Sequence, residues 1–185
     1  MKIALIQTSK GKLEVELYEE DAPLTVAHFI ELSKNGFYKN LKFFKHIPKV
    51  LVQTGCPFNN GLGDCGFHIK SELAGNDQFH EEGTLSFAHS GFNTASSQFF
   101  ICLTGRNLHY LNGVHTVFGK VKRDSLAVLH DIKKEDYIIE IMIQENQIDP
   151  DGRSVNQDRP RIKLKDLPKH IFEQIKQNLI IKKVK

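Results

Sequence analysis

The segment from Ser86 to Ile101 combines small, polar and aromatic residues in an order that could bind an extended peptide. Ser86-Phe-Ala-His-Ser-Gly91 offers close access to the backbone, and Ser97-Gln-Phe-Phe-Ile101 follows with an amide and two aromatic rings. Backbone hydrogen bonds would hold the peptide, and an apolar hole would accept one of its side chains. The same pattern is typical of barrel core with polar turns, and spacing alone does not choose between the two.

Three other groups of residues could carry different chemistry. Cys56, Cys65 and His68 could bind a metal with His80 as a fourth ligand, but the spacing of the cysteines matches no standard zinc module. We therefore expect no metal and no other cofactor, and metal analysis of the purified protein would decide. Residues 61–66 spell G-x-G-x-x-G, yet no helix signal follows, which disfavours a nucleotide site. His89-Ser90 lacks the Gly-x-Ser-x-Gly elbow of a hydrolase.

Short segments of β-type sequence must position these residues. Leu13, Val15 and Leu17 alternate with glutamates, which predicts a half-buried strand. The β-type segments are 3–7, 13–17, 43–52, 84–87, 98–103, 117–121 and 137–143. Helices are predicted from Asp21-Ala-Pro23 to Asn35-Gly36 and around Leu126, Leu129 and Ile132. Many short strands with two helices favour a mainly all-β barrel or sandwich.

Length and composition limit the location of the protein. The chain of 185 residues, 40% of them hydrophobic, fits one globular domain with some additional length. It contains no apolar run long enough to span a membrane, and its N-terminus resembles no signal peptide. Three cysteines cannot all pair, which favours a reducing compartment. We expect a cytoplasmic monomer without a membrane partner.

The positive charge is concentrated near the C-terminus. Residues 1–148 carry 15 Lys/Arg and 17 Asp/Glu, whereas residues 149–185 carry 10 and 5. We predict a domain over 1–148, a polar linker over 149–165 and a basic amphipathic helix over 166–185. Leu167, Ile171, Ile175 and Leu179 form an apolar stripe that favours docking on the domain. The alternative is a free tail that meets a nucleic acid or an acidic protein through its lysines.

Four ordered blocks resemble the cyclophilins, the peptidyl-prolyl cis–trans isomerases. Gly83-Thr-Leu-Ser-Phe-Ala88 with Asn93-Thr-Ala-Ser-Ser-Gln-Phe-Phe-Ile-Cys102 is similar to their signature strand–loop–strand. Phe43-Phe-Lys-His-Ile-Pro48 with Gln53-Thr-Gly55, and Leu111-Asn-Gly-Val-His115 with Phe118-Gly-Lys-Val121, resemble two further motifs. Asp21-Ala-Pro23 with Phe29 is the fourth. The resemblance covers about residues 1–145 and implies an eight-stranded closed β-barrel capped by two α-helices, followed by a C-terminal extension.

The resemblance also implies an activity and a site. The expected reaction is isomerisation of Xaa-Pro bonds in polypeptides, with Lys45 where the family has a catalytic Arg and Gln53 beside it. The implied apolar proline pocket is built from Leu51, Phe100 and Leu111, with His115 at its rim. The resemblance implies six further substrate-binding residues. They meet the peptide backbone, line the pocket upstream of proline or flank the proline pocket. These residues are Val50, Ala88, His89, Ser90, Gln98 and Tyr110.

Four positions depart from the family pattern. Lys45 keeps the positive charge but lacks the planar fork of Arg. Val50 replaces a Phe of the pocket wall, His89 replaces an Asn, and Tyr110 replaces a Trp. We therefore predict reduced isomerase activity and weakened binding of cyclosporin-type peptides, and the alternative is a proline-peptide binding module with little turnover.

Overall fold

The computed structural model describes residues 2–106 and 108–145, with the backbone of residues 147–148 and 154–155. The strands are β1 Lys2–Thr8, β2 Gly11–Leu17, β3 Lys45–Ile47, β4 Leu51–Thr54, β5 Thr84–Phe87, β6 Phe99–Cys102, β7 Val117–Val121, β8 Ile138–Glu145, β9 Gln147–Ile148 and β10 Ser154–Val155. The helices are α1 Pro23–Lys34 and α2 Leu126–Asp131. Two short 3₁₀ turns cover His109–Leu111 and Arg123–Ser125.

The helices and the first hairpin form where the sequence predicts them. Helix α1 begins at Pro23, whose missing N–H is not needed in the first turn, and is capped at Asn35. Val26 and Phe29 lie on its buried face. In β2 the side chains of Leu13 and Val15 are buried, as the period of two predicts.

Antiparallel pairing places the first eight strands in one sheet with the order β3-β4-β6-β5-β7-β2-β1-β8. This is a mainly β fold with eight antiparallel strands and two short helices, but the sheet is a curled half-barrel. The predicted closed barrel is therefore wrong, since β3 and β8 are not paired within the described residues. An isolated bridge between Lys42 and Tyr137 joins the two edges. Asn40 and Glu135 have positive φ angles of 63° and 76°, which interrupt the extended backbone there.

The main core fills the inner face of the sheet beneath α1. Phe29 packs against Tyr38, Phe99 and Phe118 with ring centroids 5.1–5.6 Å apart. All four rings are essentially inaccessible to solvent. This aromatic cluster is the centre of the main core, between α1 and the inner face of the sheet.

The predicted strand over 43–52 is in fact two strands, β3 and β4. Residues 48–50 form the turn between them, and Lys49 has a φ angle of 60°, outside the extended region. The antiparallel pair that results places Lys45 opposite Gln53, an arrangement that one continuous strand could not produce.

The C-terminal predictions fall largely beyond the described residues. The helix over 166–185 lies entirely outside them, as does most of the linker over 149–165. Strands β9 and β10 pair with each other, and β10 falls inside the range predicted as a linker. Among the described helices, none has the length and apolar character that a membrane span requires.

Candidate active site

Alternation along the strands assigns neighbouring residues to opposite faces of the sheet. Phe99 and Ile101 of β6 enter the main core, whereas Phe100 and Cys102 point to the outer face. The register places Lys45 opposite Gln53, and Gln53 opposite Phe100. One row across three strands thus carries a cation, an amide and an aromatic ring. We call the surface around this row the outer groove.

A second apolar cluster, separate from the main core, forms the floor of the outer groove. Its buried members are Leu51, Phe100, Cys102 and Leu108, and its partly buried members are Val50, Ala88 and Leu111. Five of these seven residues were expected from the sequence. Cys102 lies two residues after Phe100 on the same strand, a signal that could have identified it, whereas Leu108 has no such signal.

His80 supports Phe100 from within the fold. Its ring stacks on Phe100 with centroids 5.8 Å apart and an interplanar angle of 15°. Its Nδ1 lies 2.9 Å from Asn112 Oδ1, and its Nε2 lies 3.0 Å from Ser86 Oγ. Burial lowers the pKa of His80. Sequence reasoning considered this residue only as a metal ligand and missed its place beneath the groove.

Two further imidazole rings form one side of the groove. His115 meets the edge of Phe100 at 5.7 Å, and His89 stacks on His115 at 4.1 Å. His115 Nδ1 donates to Phe87 O at 3.0 Å, and His89 Nε2 donates to Val114 O at 2.8 Å. Burial, with smaller contributions from the neighbouring imidazoles, lowers the pKa of His115. The neutral form of the His115 ring is therefore favoured.

Lys45 lies on the edge strand with an exposed side chain. Gln53 is its partner across the strand pair, but the Gln53 amide Nε2 donates to Gln98 Oε1 at 3.0 Å. Within the described part of the chain, the Lys45 ammonium makes no ion pair or hydrogen bond. The expected proximity of Lys45 and Gln53 holds for the backbone, while the Gln53 amide is oriented toward Gln98.

Gln98 anchors the long loop between β4 and β5 beside the groove. Its Nε2 donates to the carbonyl oxygens of Gly61 at 2.9 Å and Gly63 at 2.8 Å. Gly55, at the start of this loop, lies directly against the backbone of Ser97 and Gln98, and a Cβ at position 55 would overlap the carbonyl oxygen of Ser97. The G-x-G-x-x-G motif lies in this loop, and its glycine carbonyls are hydrogen-bond acceptors for a side chain of the fold.

A polar cavity of about 200 Å³ opens next to the apolar cluster. We call it the side cavity, and Ala88 belongs both to its wall and to the rim of the apolar cluster. The residues lining it are Gln53, Asp64, His68, Ala88, His89, Ser90, Thr94, Ser96 and Gln98. Five of them, Gln53, Ala88, His89, Ser90 and Gln98, were expected from the sequence.

Tyr110 lies on the 3₁₀ turn next to Leu111, with 72% of its surface exposed. It borders the groove region without belonging to the apolar cluster. An exposed ring at this position can add contact area to a ligand that extends beyond the apolar cluster.

The possible metal ligands have other partners. Cys56 Sγ accepts hydrogen bonds from the N–H groups of Gly61 and Gly63, and Cys65 Sγ lies 3.1 Å from Ser96 Oγ. His68 Nε2 lies 3.8 Å from Asp64 Oδ2. Over residues 2–106 and 108–145, no three His, Cys, Asp or Glu side chains are close enough to hold a metal ion.

Known proteins resemble this chain in sequence. A family model described as cyclophilin type peptidyl-prolyl cis-trans isomerase/CLD matches residues 3–155. A peptidyl-prolyl cis-trans isomerase of Helicobacter pylori is 44% identical over 136 residues, which are 73% of this chain and 82% of the relative. Peptidyl-prolyl cis-trans isomerase B of Bacillus subtilis is 45% identical over 134 residues, 72% of this chain and 92% of the relative.

A solved structure resembles this chain in its three-dimensional fold. The cyclophilin type peptidyl-prolyl cis-trans isomerase of Cryptosporidium parvum, crystallised in the presence of the dipeptide Ala-Pro, superposes with a TM-score of 0.70 at 31% identity. The match covers 78% of this chain and 99% of that one.

Proposed function

The chain belongs to the cyclophilin-type peptidyl-prolyl cis–trans isomerases, and we propose that its outer groove binds Xaa-Pro segments with the proline ring on the apolar cluster. The family resemblance of the sequence is thereby confirmed, and the protein is a peptidyl-prolyl isomerase. The observation that carries the proposal is the adjacency of an apolar cluster, a row of polar side chains and a cation on one face of the sheet.

Rotation about the prolyl bond requires no covalent step. The C–N bond resists rotation by about 18–20 kcal/mol because of its partial double-bond character. In the twisted state the prolyl nitrogen regains a lone pair, so a cation near it stabilises that state more than the planar amide. Lys45 supplies this cation, while Leu51, Phe100 and Leu111 hold the proline ring and His115 limits its movement.

The other groove residues hold the peptide backbone and its flanking side chains. Ala88, His89 and Ser90 line the side cavity, and Ala88 also packs against the apolar cluster, a position suited to hydrogen bonding with an extended peptide. Gln53 orients the substrate through its amide, supported by Gln98. His89 uses its ring nitrogen on Val114, so its backbone remains the group for the substrate.

We propose that turnover is lower than in relatives with Arg at this position. Lys45 has no described partner to fix it, and an ammonium is more strongly hydrated than a guanidinium and lacks its fork of donors. Val50 covers less of the pocket wall than an aromatic ring. Tyr110 offers less contact than an indole, which we expect to weaken binding of cyclosporin-type peptides. The three free thiols support a cytoplasmic location.

Exchange NMR on an Ala-Pro peptide tests the proposal directly. We expect accelerated exchange, a loss of about tenfold in Lys45→Ala, and a gain in Lys45→Arg. The loss is smaller than the 10²–10³ typical of a well-aimed electrostatic donor because Lys45 is exposed. The pair of variants is matched, since both change the same exposed position.

Three results would contradict parts of this assignment. Equal rates for Lys45→Ala and the parent would remove Lys45 from catalysis. An unchanged or slower Lys45→Arg would remove the explanation of reduced activity. A peptide that binds, as seen by titration, without faster exchange would identify a proline-peptide binding module.

A further inference from the structure

Two imidazole rings join the segment after β5 to the segment before β7. His89, two residues after the end of β5, donates from Nε2 to Val114 O at 2.8 Å. His115, two residues before β7, donates from Nδ1 to Phe87 O at 3.0 Å. The rings stack on each other with centroids 4.1 Å apart and an interplanar angle of 27°. Each segment thus binds a backbone carbonyl of the other, and we call this reciprocal arrangement the histidine clasp.

The segment after β5 has few backbone hydrogen bonds of its own. The N–H of Ala88 donates to Gln98 O at 2.9 Å and thereby continues the strand pairing. Over residues 2–106 and 108–145, no hydrogen bond is made by the backbone N–H and C=O groups of the next two residues, His89 and Ser90. These groups can bind a peptide, but they do not hold the segment in place. The His89 side chain is therefore its anchor to the neighbouring turn.

One nitrogen and one face determine the direction of the His89 ring. Val114 O is an acceptor, so Nε2 carries the proton and, in the neutral ring, Nδ1 carries a lone pair. Nδ1 is buried and has no hydrogen-bond partner among the described residues. His115 has the opposite tautomer, because Phe87 O requires the proton on Nδ1. The clasp thus predicts a specific pair of tautomers.

The histidine clasp connects two walls of the apolar cluster. Ala88 comes from the segment after β5 and Leu111 from the turn before β7, and both pack against the cluster. Leu111 O accepts the N–H groups of Val114 and His115 at 3.0 and 3.1 Å, which makes residues 111–115 one tight turn. A change in the clasp therefore affects Ala88 and Leu111 together.

We propose that His89 is a positioning residue, whose ring holds residues 88–90 against the turn 111–115 and so sets the width of the proline pocket. The inference rests on the proposed function of the outer groove and gives that width a cause in this chain's own residues. The Asn of the family pattern has no ring to stack on His115, so the clasp is particular to a chain with histidine at both positions. Because residues 88–90 bind the planar and the twisted peptide alike, loss of the clasp raises KM and leaves kcat nearly unchanged.

Exchange NMR with lineshape analysis on acetyl-Ala-Ala-Pro-Phe-amide, titrated with the full chain, measures KM and kcat separately. His89→Phe keeps a ring for the stack and removes the donor to Val114 O. We expect its KM to be about fivefold higher, the effect of one lost hydrogen bond, with kcat within about twofold of the parent. His89→Gln supplies an amide N–H in place of Nε2–H, so its KM returns to within about twofold of the parent.

Long-range ¹H–¹⁵N correlation spectra near neutral pH report the clasp independently of activity. We expect a proton on Nε2 of His89 and on Nδ1 of His115. His130→Phe is the matched control, since it removes an exposed imidazole on α2 that is hydrogen-bonded to Glu82 at 2.7 Å, and it keeps the parental KM.

The role of His89 fails on any of three results while the proposed isomerisation stands. These are a parental KM in His89→Phe, an equally high KM in His89→Gln and His89→Phe, and a proton on Nδ1 but not on Nε2 of His89. No accelerated exchange with the parent chain overturns the proposed function together with this inference.

Discussion

The two faces of the central sheet are built from adjacent residues but differ in how completely they are shielded from solvent. Phe99 and Phe100 are neighbours on β6 with almost no exposed surface, yet Phe99 belongs to the large core beneath α1 and Phe100 to a cluster of four buried residues. The inner face is covered by a large buried core that includes the aromatic cluster. The outer face is a thin apolar layer bordered by imidazoles, amides and a cation.

Because of this contrast, we expect residues on the inner face of β6 to affect mainly stability and residues on its outer face to affect mainly activity. A closed core loses both transfer free energy and packing when a ring is removed, because nothing refills the space. An open groove can rehydrate, so we expect truncation there to cost less stability and, if the groove binds proline as proposed, to remove contacts with the substrate. Three changes test how far this separation holds.

The largest effect is expected for Phe99→Ala. Removing a ring that contacts Phe29, Tyr38 and Phe118 leaves a cavity in the aromatic cluster. We expect the free energy of unfolding to fall by about 3–5 kcal/mol, measured by denaturant titration. A loss below about 1 kcal/mol would show that the core can collapse around the hole, and the contrast between the faces would fail.

The next largest effect concerns His28, a buried group on the core side of α1. Its Nε2 donates to Ser96 O at 2.6 Å, and burial lowers its pKa to about 4. The unfolded chain takes up a proton on this ring near pH 6.5 but the folded chain does not, so stability is lost as pH falls from about 6.5 to 4. The expected loss from this group is about 3 kcal/mol.

Unfolding titrations between pH 7 and 4 measure this loss. His28→Gln is the comparison, since its amide can donate to Ser96 O without titrating. We expect a shallower fall in stability for the variant than for the parent. Parallel curves for the two proteins would assign the acid sensitivity to other groups, such as the groove residues His80 and His115.

The smallest of the three effects is expected for Phe100→Ala, and it appears in activity. Loss of the ring removes about 1.5–3 kcal/mol of apolar contact with the proline, which is about 10- to 100-fold in kcat/KM. We expect a smaller loss of unfolding free energy than in Phe99→Ala, measured by the same titration. The reverse order, a stable protein with Phe99→Ala and an unfolded one with Phe100→Ala, would contradict the assignment of the two faces.

Local patterns in the sequence were sufficient to predict most of the helices and strands. The alternation in β2 and the Pro23 and Asn35 boundaries of α1 depend on interactions within a few residues, so they could be predicted without the fold. The family blocks predicted Leu51, Phe100 and Leu111 for a proline pocket, which stays a prediction, and the structure groups the three in the second apolar cluster. The closed barrel, which the family resemblance implied, was wrong. The backbone leaves the extended region at Asn40 and Glu135, and neither residue is a glycine that would indicate a positive φ angle in the sequence.

The sequence by itself determined the alternation of Phe99 and Phe100, the family and the identity of the cation at position 45. Only the tertiary structure decided that His80 lies beneath Phe100, that Gln53 turns to Gln98, and that Asp64 reaches the wall of the side cavity. These pairs are separated by 20 to 45 positions or meet through a loop without regular structure. Periodicity describes which way a side chain points from its own strand, whereas contacts between distant segments depend on how the sheet curls and where the loop is anchored.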